Sequence, residues 1–244
     1  MFVHAKRSCT WPKVPPVLTP EQIKAKEGFM KGWHEILETK YQLVERFNHG
    51  WTSKLPHKAG SRTLEIGAGL GGHLPYENLA DQDYFCLEMR PAFCERLAQR
   101  IRPDHVLCAD IQKSLPLPDA QFDRIIAIHV LEHLTHLPDA ITEVKRLLKP
   151  DGVFDVVLPT QGGLAYRLAS MISGERYFRK TFKMDYQPIF KTEHVNDFPE
   201  IISVLDETFR IEKYQYFPLF IPLYHINICV GFRLRFKNQP LERK

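Results

Sequence analysis

From residue 62 onward, short apolar runs alternate with longer segments in which apolar residues recur every three or four positions. A short apolar run is typical of a buried strand, whereas the longer period is typical of an amphipathic helix. The predicted strands are 62–66, 84–88, 105–108, 122–128 and 153–158, and the predicted helices are 70–79, 91–101 and 138–148. Because strands that alternate with helices form parallel sheets, the pattern predicts a doubly wound α/β domain.

The beginning of the chain lies outside this alternation. Four prolines within residues 9–20 exclude a helix there and predict an extended arm. Residues 21–49 carry apolar side chains at helical spacing. This spacing predicts amphipathic helices that are interrupted at Gly28 or Gly32.

Segments 210–217 and 225–236 are predicted as a pair of antiparallel strands, and their connection is unusually apolar. Residues 217–224 are too apolar for an ordinary exposed turn. Packing in the core is the simplest explanation of such a run. The alternatives are peripheral contact with a membrane surface, with a greasy substrate or with a second subunit.

The most informative chemistry follows the first predicted strand, where an apolar run ends in Glu65 and breaks into closely spaced glycines. Gly67 and Gly69 lack a Cβ atom, so the main chain there can turn sharply and a ligand can approach it closely. The helix that follows is expected to offer unpaired N–H groups at its start. This arrangement predicts a nucleotide-like cofactor.

Two classes of cofactor compete for this loop. Gly67, Gly69 and Gly72 match the Gly-x-Gly-x-x-Gly pattern of dinucleotide enzymes. Glu88 lies about 20 residues further on, where those enzymes have a ribose-binding acid. However, a carboxylate at Glu65 would repel a pyrophosphate and attract a sulfonium or an ammonium group. The charge therefore favours a cationic cofactor.

Segment 64–69 resembles the first motif of class I S-adenosylmethionine-dependent methyltransferases. Segments 84–90, 108–111 and 122–134 resemble later motifs of that family, in the same order. The resemblance covers about residues 60–160. It implies a Rossmann-like fold, with a mostly parallel seven-stranded sheet, an antiparallel C-terminal strand and an N-terminal helical cap. It also implies S-adenosyl-L-methionine as the cofactor.

The resemblance further implies roles for individual residues. Glu88 would hydrogen-bond the ribose hydroxyls, Asp110 would meet the adenine amino group, and His129 would lie beside the transferred methyl group. The expected cofactor-binding residues are Glu65, Gly67, Ala68, Gly69, Glu88, Met89, Asp110, Ile111 and His129. Ligands of open parallel sheets bind at the carboxyl ends of the strands, so the acids and His129 are expected along one rim.

Residues 129–133 also match the His-x-x-Glu-His signature of zinc hydrolases. That signature requires one continuous helix, whereas His129 directly follows a predicted strand and no third ligand is evident. A metal site is therefore not predicted. A hydroxyl acceptor of a methyl group needs a base, and His129 suits that role because the pKa of histidine lies near neutrality. Glu132 and His133 are expected to be structural.

Residues 160–200 depart from the minimal fold and include a stretch rich in aromatic and basic residues. This stretch predicts a lid for an anionic or lipid-linked substrate, and the alternative is a solvated loop whose aromatic residues pack on the core. Segment 193–198 resembles the histidine-containing segment of quinone-biosynthesis methyltransferases that faces the acceptor. His194 is accordingly the first choice for a catalytic base. The expected organisation is an arm and helical cap at 1–59 and a methyltransferase domain at 60–244.

The composition is that of an ordinary folded enzyme, with 244 residues, 44% apolar residues and a formal net charge of +4. So small a charge does not call for nucleic acid as a partner, and no nucleic-acid-binding module is visible. The five cysteines lack CxxC spacing, which predicts reduced thiols. Neither a signal peptide nor an apolar run of membrane-spanning length is visible, so a soluble cytoplasmic protein is expected.

These patterns predict an enzyme that transfers a methyl group from S-adenosylmethionine to a small or lipid-linked metabolite, with oxygen as the favoured acceptor atom. The first alternative is an NAD(P)-dependent oxidoreductase, which Glu65 and the lack of a Tyr-x-x-x-Lys pair disfavour. The second alternative is a cofactor-binding subunit without chemistry of its own.

Overall fold

The computed structural model of the protein describes residues 10–238, which form a seven-stranded sheet with helices on both faces. The strands are β1 (Ser61–Ile66), β2 (Gln82–Glu88), β3 (Val106–Cys108), β4 (Phe122–Ile128), β5 (Leu148–Pro159), β6 (Phe209–Phe217) and β7 (Cys229–Phe236). The helices are α1 (Pro20–Lys40), α2 (Gln42–Ser53), α3 (Pro91–Leu97), α4 (Leu137–Leu147), α5 (Leu164–Ile172), α6 (Gly174–Phe182), α7 (Gln187–Glu193) and α8 (Phe198–Thr208). None of these helices is both long and apolar enough to cross a membrane.

The strand order is β3-β2-β1-β4-β5-β7-β6. β1 to β5 pair in parallel, and β7 is antiparallel to both of its neighbours, β5 and β6. The predicted fold class, a Rossmann-like and mostly parallel sheet with an antiparallel C-terminal strand, is confirmed. β6 runs in the same direction as β1 to β5, so the connection from β6 to β7 lies at the carboxyl edge of the parallel strands. Ligands of doubly wound sheets bind at that edge, near the reversal of strand order between β1 and β4.

Both faces of the sheet carry apolar side chains and are covered by helices. On one face, Leu64 and Phe154 pack with α4 and α8 in the main core. On the other face, Trp51 of α2 packs against Val157. A Cβ atom at Gly231 of β7 would overlap Trp51, so this glycine allows α2 to approach the sheet closely. Helix α2 thus packs with the sheet, although it precedes the predicted domain boundary at residue 60.

The first two helices meet at Tyr41 and not at a glycine. Gly28 and Gly32 both lie inside α1, so the predicted interruption at either of them is wrong. A Cβ atom at Gly28 would lie 3.0 Å from Phe182 of α6, and one at Gly32 would overlap the Tyr177 hydroxyl. The two glycines therefore serve the close packing of α1 on α6, which the spacing of apolar residues does not reveal.

The predicted helix at 70–79 is wrong, because this segment forms the 3-10 turns Leu74–Tyr76 and Leu79–Asp81 instead. Gly71 has a φ of +76°, which a right-handed helix does not contain. Glu77 is buried and accepts hydrogen bonds from Arg124 of β4 at 2.9 and 3.1 Å. Buried polar contacts therefore hold this segment, instead of the main-chain hydrogen bonds of a helix. The N–H groups expected at the start of a helix are accordingly not available to a ligand.

Alternating charges cross the sheet next to α2. Arg124 donates from Nε to Asp155 of β5 at 2.8 Å and from Nη2 to the Thr52 carbonyl oxygen of α2 at 2.7 Å. Arg233 of β7 donates to the two oxygens of Asp155 at 2.8 and 2.7 Å. All three charged side chains are buried. Because each charge is hydrogen-bonded to an opposite one, the group ties α2 to three strands without leaving a buried ion unpaired.

The segment 177–190 is mostly helical and is not one continuous loop. Tyr177, Phe178 and Phe182 lie on α6, Phe190 lies on α7, and Tyr186 directly precedes α7. Phe178 and Tyr186 are buried and pack against Phe29 of α1, with ring centroids 5.5 and 5.6 Å from that of Phe29. These side chains therefore attach the N-terminal helix to the segment 160–200. A lid function of that segment stays a prediction.

Candidate active site

The glycine loop after β1 crosses closely over the turn after β4. Gly67 has a φ of +67°, and a Cβ atom on it would lie 2.6 Å from Cγ2 of Val130. The N–H groups of Gly67 and Ala68 donate to the Leu87 carbonyl oxygen at 2.8 and 3.1 Å. A side chain at position 67 would overlap Val130, so only glycine fits this turn, which we call the cradle at Gly67. The sharp turn predicted for the loop is confirmed.

Glu88 ends β2 and directs its carboxylate toward the glycine loop. Its oxygens accept hydrogen bonds from the Gly69 N–H at 3.0 Å and from the Arg90 N–H and Nε at 3.0 and 2.8 Å. Burial opposes ionisation, but the hydrogen bonds from Arg90 and Gly69 outweigh it and lower the pKa of Glu88. An ionised acceptor therefore lies beside the loop at the carboxyl edge of the sheet.

Three further residues predicted to contact the cofactor follow β2 and β3. Asp110 is half-buried, and its Oδ1 accepts hydrogen bonds from the main chain and the side chain of Gln112, both at 3.0 Å. Met89 is exposed, whereas the Ile111 side chain is buried in the main core. Asp110 and Met89 thus offer side chains at this edge, and Ile111 offers its main chain.

Glu65 does not join the other carboxylates at the edge of the sheet. Its side chain lies on the face of the sheet that also carries Tyr84 and Cys86 of β2, and its Oε2 accepts a hydrogen bond from the Tyr84 hydroxyl at 2.9 Å. Burial raises the pKa of Glu65 to about 8, so the group is mostly protonated at neutral pH. A neutral Glu65 does not attract a sulfonium group through charge, so this protonation state argues against the charge argument, and a cofactor contact of Glu65 stays a prediction.

The protonated state of Glu65 predicts how stability depends on pH. A carboxyl group with a raised pKa stabilises the fold fully below its unfolded value of 4.5, and this contribution is lost as the pH rises through about 8. Glu65→Gln keeps an acceptor for Tyr84 and cannot ionise. We expect equal free energies of unfolding for the variant and the wild type in acid, and a variant more stable by about 4 kcal/mol near pH 8, because the pKa is raised from 4.5 to about 8.

Urea unfolding across this pH range measures the difference. Glu95→Gln is the matched control, because Glu95 is exposed on α3. Parallel stability curves for wild type and Glu65→Gln would show that Glu65 is ionised in the folded protein.

His129 follows β4 in a left-handed conformation, with a φ of +52°. Its Nδ1 lies 3.1 Å from Oε1 of Glu132, which belongs to the 3-10 turn Leu131–His133. Burial alone would lower the pKa of His129, but the neighbouring Cys229 and the Glu132 carboxylate raise it to about 10. At neutral pH His129 is therefore an imidazolium, which has no lone pair for accepting a proton. This protonation state argues against the base role predicted for His129.

Glu132, for which the sequence predicts a structural role, is buried among His129, His133 and His194. Burial opposes its ionisation, but the hydrogen bond to His129 and the charges of nearby histidines lower the pKa of Glu132 to about 2. Its main-chain carbonyl oxygen accepts hydrogen bonds from the N–H groups of Val195 and Asn196 at 2.9 and 3.1 Å. Glu132 thus holds the turn after β4 against the connection between α7 and α8.

His194 lies in that connection with its ring stacked on Phe190, at a centroid distance of 4.6 Å. Its Nδ1 is 2.9 Å from Oε1 of Gln161. An amide oxygen only accepts hydrogen bonds, so Nδ1 carries the proton and Nε2 keeps its lone pair. Burial and the charge of the adjacent His133 lower the pKa of His194 to about 4. Of the two histidines predicted to be catalytic, His194 is the one in the protonation state of a base.

Residues 129–133 do not form the helix of a zinc hydrolase. β4 ends at Ile128, and only the 3-10 turn Leu131–His133 follows before α4. Within the described part of the chain, no group of three or more His, Cys, Asp or Glu side chains is arranged to hold a metal ion.

One protein-family model matches the part of the chain that contains most of the candidate cofactor-binding residues. The family model described as "Methyltransferase domain" matches residues 64–156, which include the glycine loop, Glu88, Asp110 and His129. Residues 64–156 are therefore a methyltransferase domain of the class I S-adenosylmethionine-dependent type. The cofactor of this methyltransferase domain is accordingly S-adenosyl-L-methionine.

The relatives share the methyltransferase core. A malonyl-(acyl-carrier protein) O-methyltransferase of Enterobacter lignolyticus is 29% identical over 112 residues, which are 46% of this chain and 44% of that protein. A sterol 24-C-methyltransferase of Aspergillus fumigatus is 29% identical over 125 residues, which are 48% of this chain and 32% of that protein. A SAM-dependent methyltransferase structure from Thermotoga maritima matches at 20% identity with a TM-score of 0.57, over 88% of this chain and 99% of that one. The chain spans less than half the length of the two curated relatives, and the structural likeness shows the fold.

The candidate active site carries groups that fit this cofactor. Two buried polar atoms after β4, Nε2 of His129 and Oε2 of Glu132, have no hydrogen-bond partner within residues 10–238. An N–H donor and a carboxylate oxygen complement the carboxylate and the ammonium group of an α-amino acid, which S-adenosylmethionine carries. Together with the cradle at Gly67 and the ionised Glu88, the described residues fit the cofactor.

Two polar residues of the methyltransferase site are not apparent from the sequence. Gln161 holds His194, and Asn196 donates from Nδ2 to the carbonyl oxygens of Leu131 and Leu134 at 2.8 and 2.7 Å. Their partners are distant along the chain, and neither residue type indicates such a contact. The available signal is position along the chain, since Gln161 is the second residue after β5 and Asn196 lies in segment 193–198, which also contains His194.

Replacement of Glu88 by alanine is expected to weaken the binding of S-adenosylhomocysteine by about 1.5–3 kcal/mol, the usual range for hydrogen bonds to a charged group. The reason is that Glu88 presents the ionised acceptor beside the glycine loop. Calorimetric titration measures the change, with Glu95→Ala on the exposed face of α3 as the control. Equal affinities of Glu88→Ala and wild type would remove Glu88 from the cofactor site.

Proposed function

We propose that the protein transfers a methyl group from S-adenosylmethionine to an oxygen atom of a small or lipid-linked metabolite. The observation that carries this proposal is the neutral His194, whose Nε2 lone pair is available next to the turn after β4. A hydroxyl group must lose its proton when it is methylated, and a positioned histidine supplies the base for that step.

Bound S-adenosylmethionine would supply an electrophilic methyl group on a sulfonium sulfur. The residues of this chain then have three tasks. Glu88 and the main chain of Gly67–Gly69 would hold the nucleoside, and His129 with Glu132 would hold the amino-acid end through their unpartnered atoms. His194 would orient the acceptor hydroxyl and accept its proton on Nε2 while the oxygen lone pair forms the new bond to carbon. Gln161 keeps the His194 Nδ1–H in place, so the lone pair stays on Nε2.

The relatives support methyl transfer and differ in the acceptor. The Enterobacter protein is named as an O-methyltransferase that acts on a malonyl-(acyl-carrier protein), and the Aspergillus protein as a C-methyltransferase that acts on a sterol. The preference for oxygen in this chain therefore rests on His194, and the choice of a metabolite rests on the relatives and on the composition.

The proposal is tested by incubating the protein with S-adenosylmethionine labelled with carbon-13 in the methyl group and with lipid and aqueous extracts of the cells that encode it. The carbon chemical shift of the transferred methyl group distinguishes attachment to oxygen, nitrogen and carbon. A new methoxy signal that requires active protein is the expected result. Label found on nitrogen or carbon alone would refute the oxygen assignment. Binding of S-adenosylhomocysteine without transfer to either extract would favour the non-catalytic subunit.

A further inference from the structure

Helix α5 presents an apolar face to solvent. Leu164, Leu168, Met171 and Ile172 recur at helical spacing along one side of the helix, and Leu164 and Ile172 are 62% and 72% exposed. In a helix that covers a core, the apolar stripe faces inward. Here the stripe faces outward, and Tyr166, on the opposite side of the helix, lies near Glu132 and Cys229.

The connection between β6 and β7 continues this apolar face. Leu219, Phe220, Ile221 and Leu223 are exposed, and Phe220 is 62% exposed, so packing in the core does not explain the apolar run. Hydrogen bonds within the loop nevertheless fix its main chain. The buried Asn227 accepts the Leu219 N–H at 2.9 Å and donates to the carbonyl oxygens of Ile221 and Leu223 at 2.9 Å. The polar main chain is therefore satisfied inside the loop while the apolar side chains point out.

The two apolar segments are neighbours at the carboxyl edge of the sheet. A Cβ atom on Gly163, just before α5, would lie 2.7 Å from the Tyr224 carbonyl oxygen and 3.2 Å from Cα of His225. β5 and β6 both end at this edge, which also carries Glu88 and His129. We call the outward side chains of α5 and of residues 218–226 the apolar surface.

Among the described residues near the apolar surface, the unpaired charges are positive, and the acids Glu175 and Asp185 are paired with Arg179. Segments 156–174 and 213–238 contain no Asp or Glu. Arg167, Arg176, Lys180 and Lys183 are exposed, and within residues 10–238 they form no ion pair. A second copy of the chain related by two-fold symmetry would bring these cations close to the same cations of the other copy, and this like-charge repulsion costs free energy. A bilayer with anionic head groups instead attracts the cations and accepts the apolar side chains.

We propose that the apolar surface docks on an anionic phospholipid bilayer and places the candidate active site next to it. Delivery of a lipid-linked acceptor from that bilayer rests on the proposed methyl transfer. Docking itself does not, because it can be measured without cofactor or acceptor.

The test is co-sedimentation of the full chain with vesicles of equal parts phosphatidylglycerol and phosphatidylcholine, and with vesicles of phosphatidylcholine alone. We expect binding to the mixed vesicles that weakens with added salt. Leu168→Glu and Phe220→Glu should each weaken it about tenfold or more, because each removes a side chain that would be buried in the lipid. Arg176→Gln and Lys180→Gln should each weaken it about fivefold.

Leu79→Glu is the matched control, because Leu79 is also partly exposed but precedes β2 at the opposite edge of the sheet. Circular dichroism and the affinity for S-adenosylhomocysteine confirm that each variant is folded. Failure to bind the mixed vesicles, or an equal loss in Leu79→Glu, would overturn the proposal. A dimer in solution that both Leu168→Glu and Phe220→Glu dissociate would assign the surface to a second copy of the chain. If the wild-type protein binds the mixed vesicles but transfers no methyl group, only the proposed function would be overturned.

Discussion

Replacement of Arg124 by methionine is expected to lower the free energy of unfolding by about 3–5 kcal/mol, the usual loss when one partner of a buried ion pair is removed. Methionine fills similar space but removes the guanidinium group that pairs with Glu77 and with Oδ2 of Asp155. It also frees the Thr52 carbonyl oxygen, which connects α2 to the sheet. Urea unfolding at neutral pH measures the loss.

Lys149→Met is the matched control for Arg124. Lys149 of β5 pairs with Asp123 of β4 at 2.7 Å, but both side chains are about one-third exposed, at 37% and 33%. An exposed pair between the same two strands should contribute less than about 1 kcal/mol. If both variants lost the same small amount, the buried charge group would not be what holds α2 to the sheet.

Replacement of His194 by alanine is expected to lower kcat by about 10²–10⁴, the usual contribution of a general base. The affinity for S-adenosylhomocysteine should stay the same, because His194 is held by Gln161 and Phe190 and not by the glycine loop. In the wild type, the acid limb of kcat/KM should lie near pH 4, since the pKa of His194 is lowered to about 4. Turnover and its pH profile are measured with the acceptor that the labelling experiment identifies.

Two observations separate a base from a structural histidine at position 194. Added imidazole should restore part of the turnover of His194→Ala, which it would not do for a packing defect. His136→Ala, at an exposed histidine before α4, should keep the wild-type turnover. A His194→Ala enzyme with wild-type kcat would exclude His194 from the proposed chemistry.

The central sheet could be predicted from the sequence because its inner strands contain short apolar runs that are buried, such as residues 125–127 of β4 and 156–158 of β5. The errors arise where tertiary contacts decide local structure. Gly28 and Gly32 were predicted to interrupt a helix. They instead allow close packing against residues of α6, which are distant in sequence. Segment 70–79 has helical spacing, but the left-handed Gly71 and the buried Glu77 hold it in turns.

The candidate site was only partly predictable for a related reason. The positions of Glu88 and His194 follow from motifs, and the structure gives both of them the ionisation state that their proposed roles need. The protonation of Glu65 and His129 was not predictable, because a sequence does not show how deeply a side chain is buried or which charge faces it. Two glutamates and two histidines therefore have opposite charge states within one domain.

The turns that replace the helix after the glycine loop limit which nucleotides this loop can hold. A dinucleotide is normally bound with its pyrophosphate against the first turn of that helix, where free N–H groups and the helix dipole neutralise the phosphates. In this chain the segment has 3-10 turns at Leu74–Tyr76 and Leu79–Asp81, so no such electropositive end faces the loop. Conversion of this scaffold to hydride transfer would require a new helix, and not merely a change of side chains around the nicotinamide.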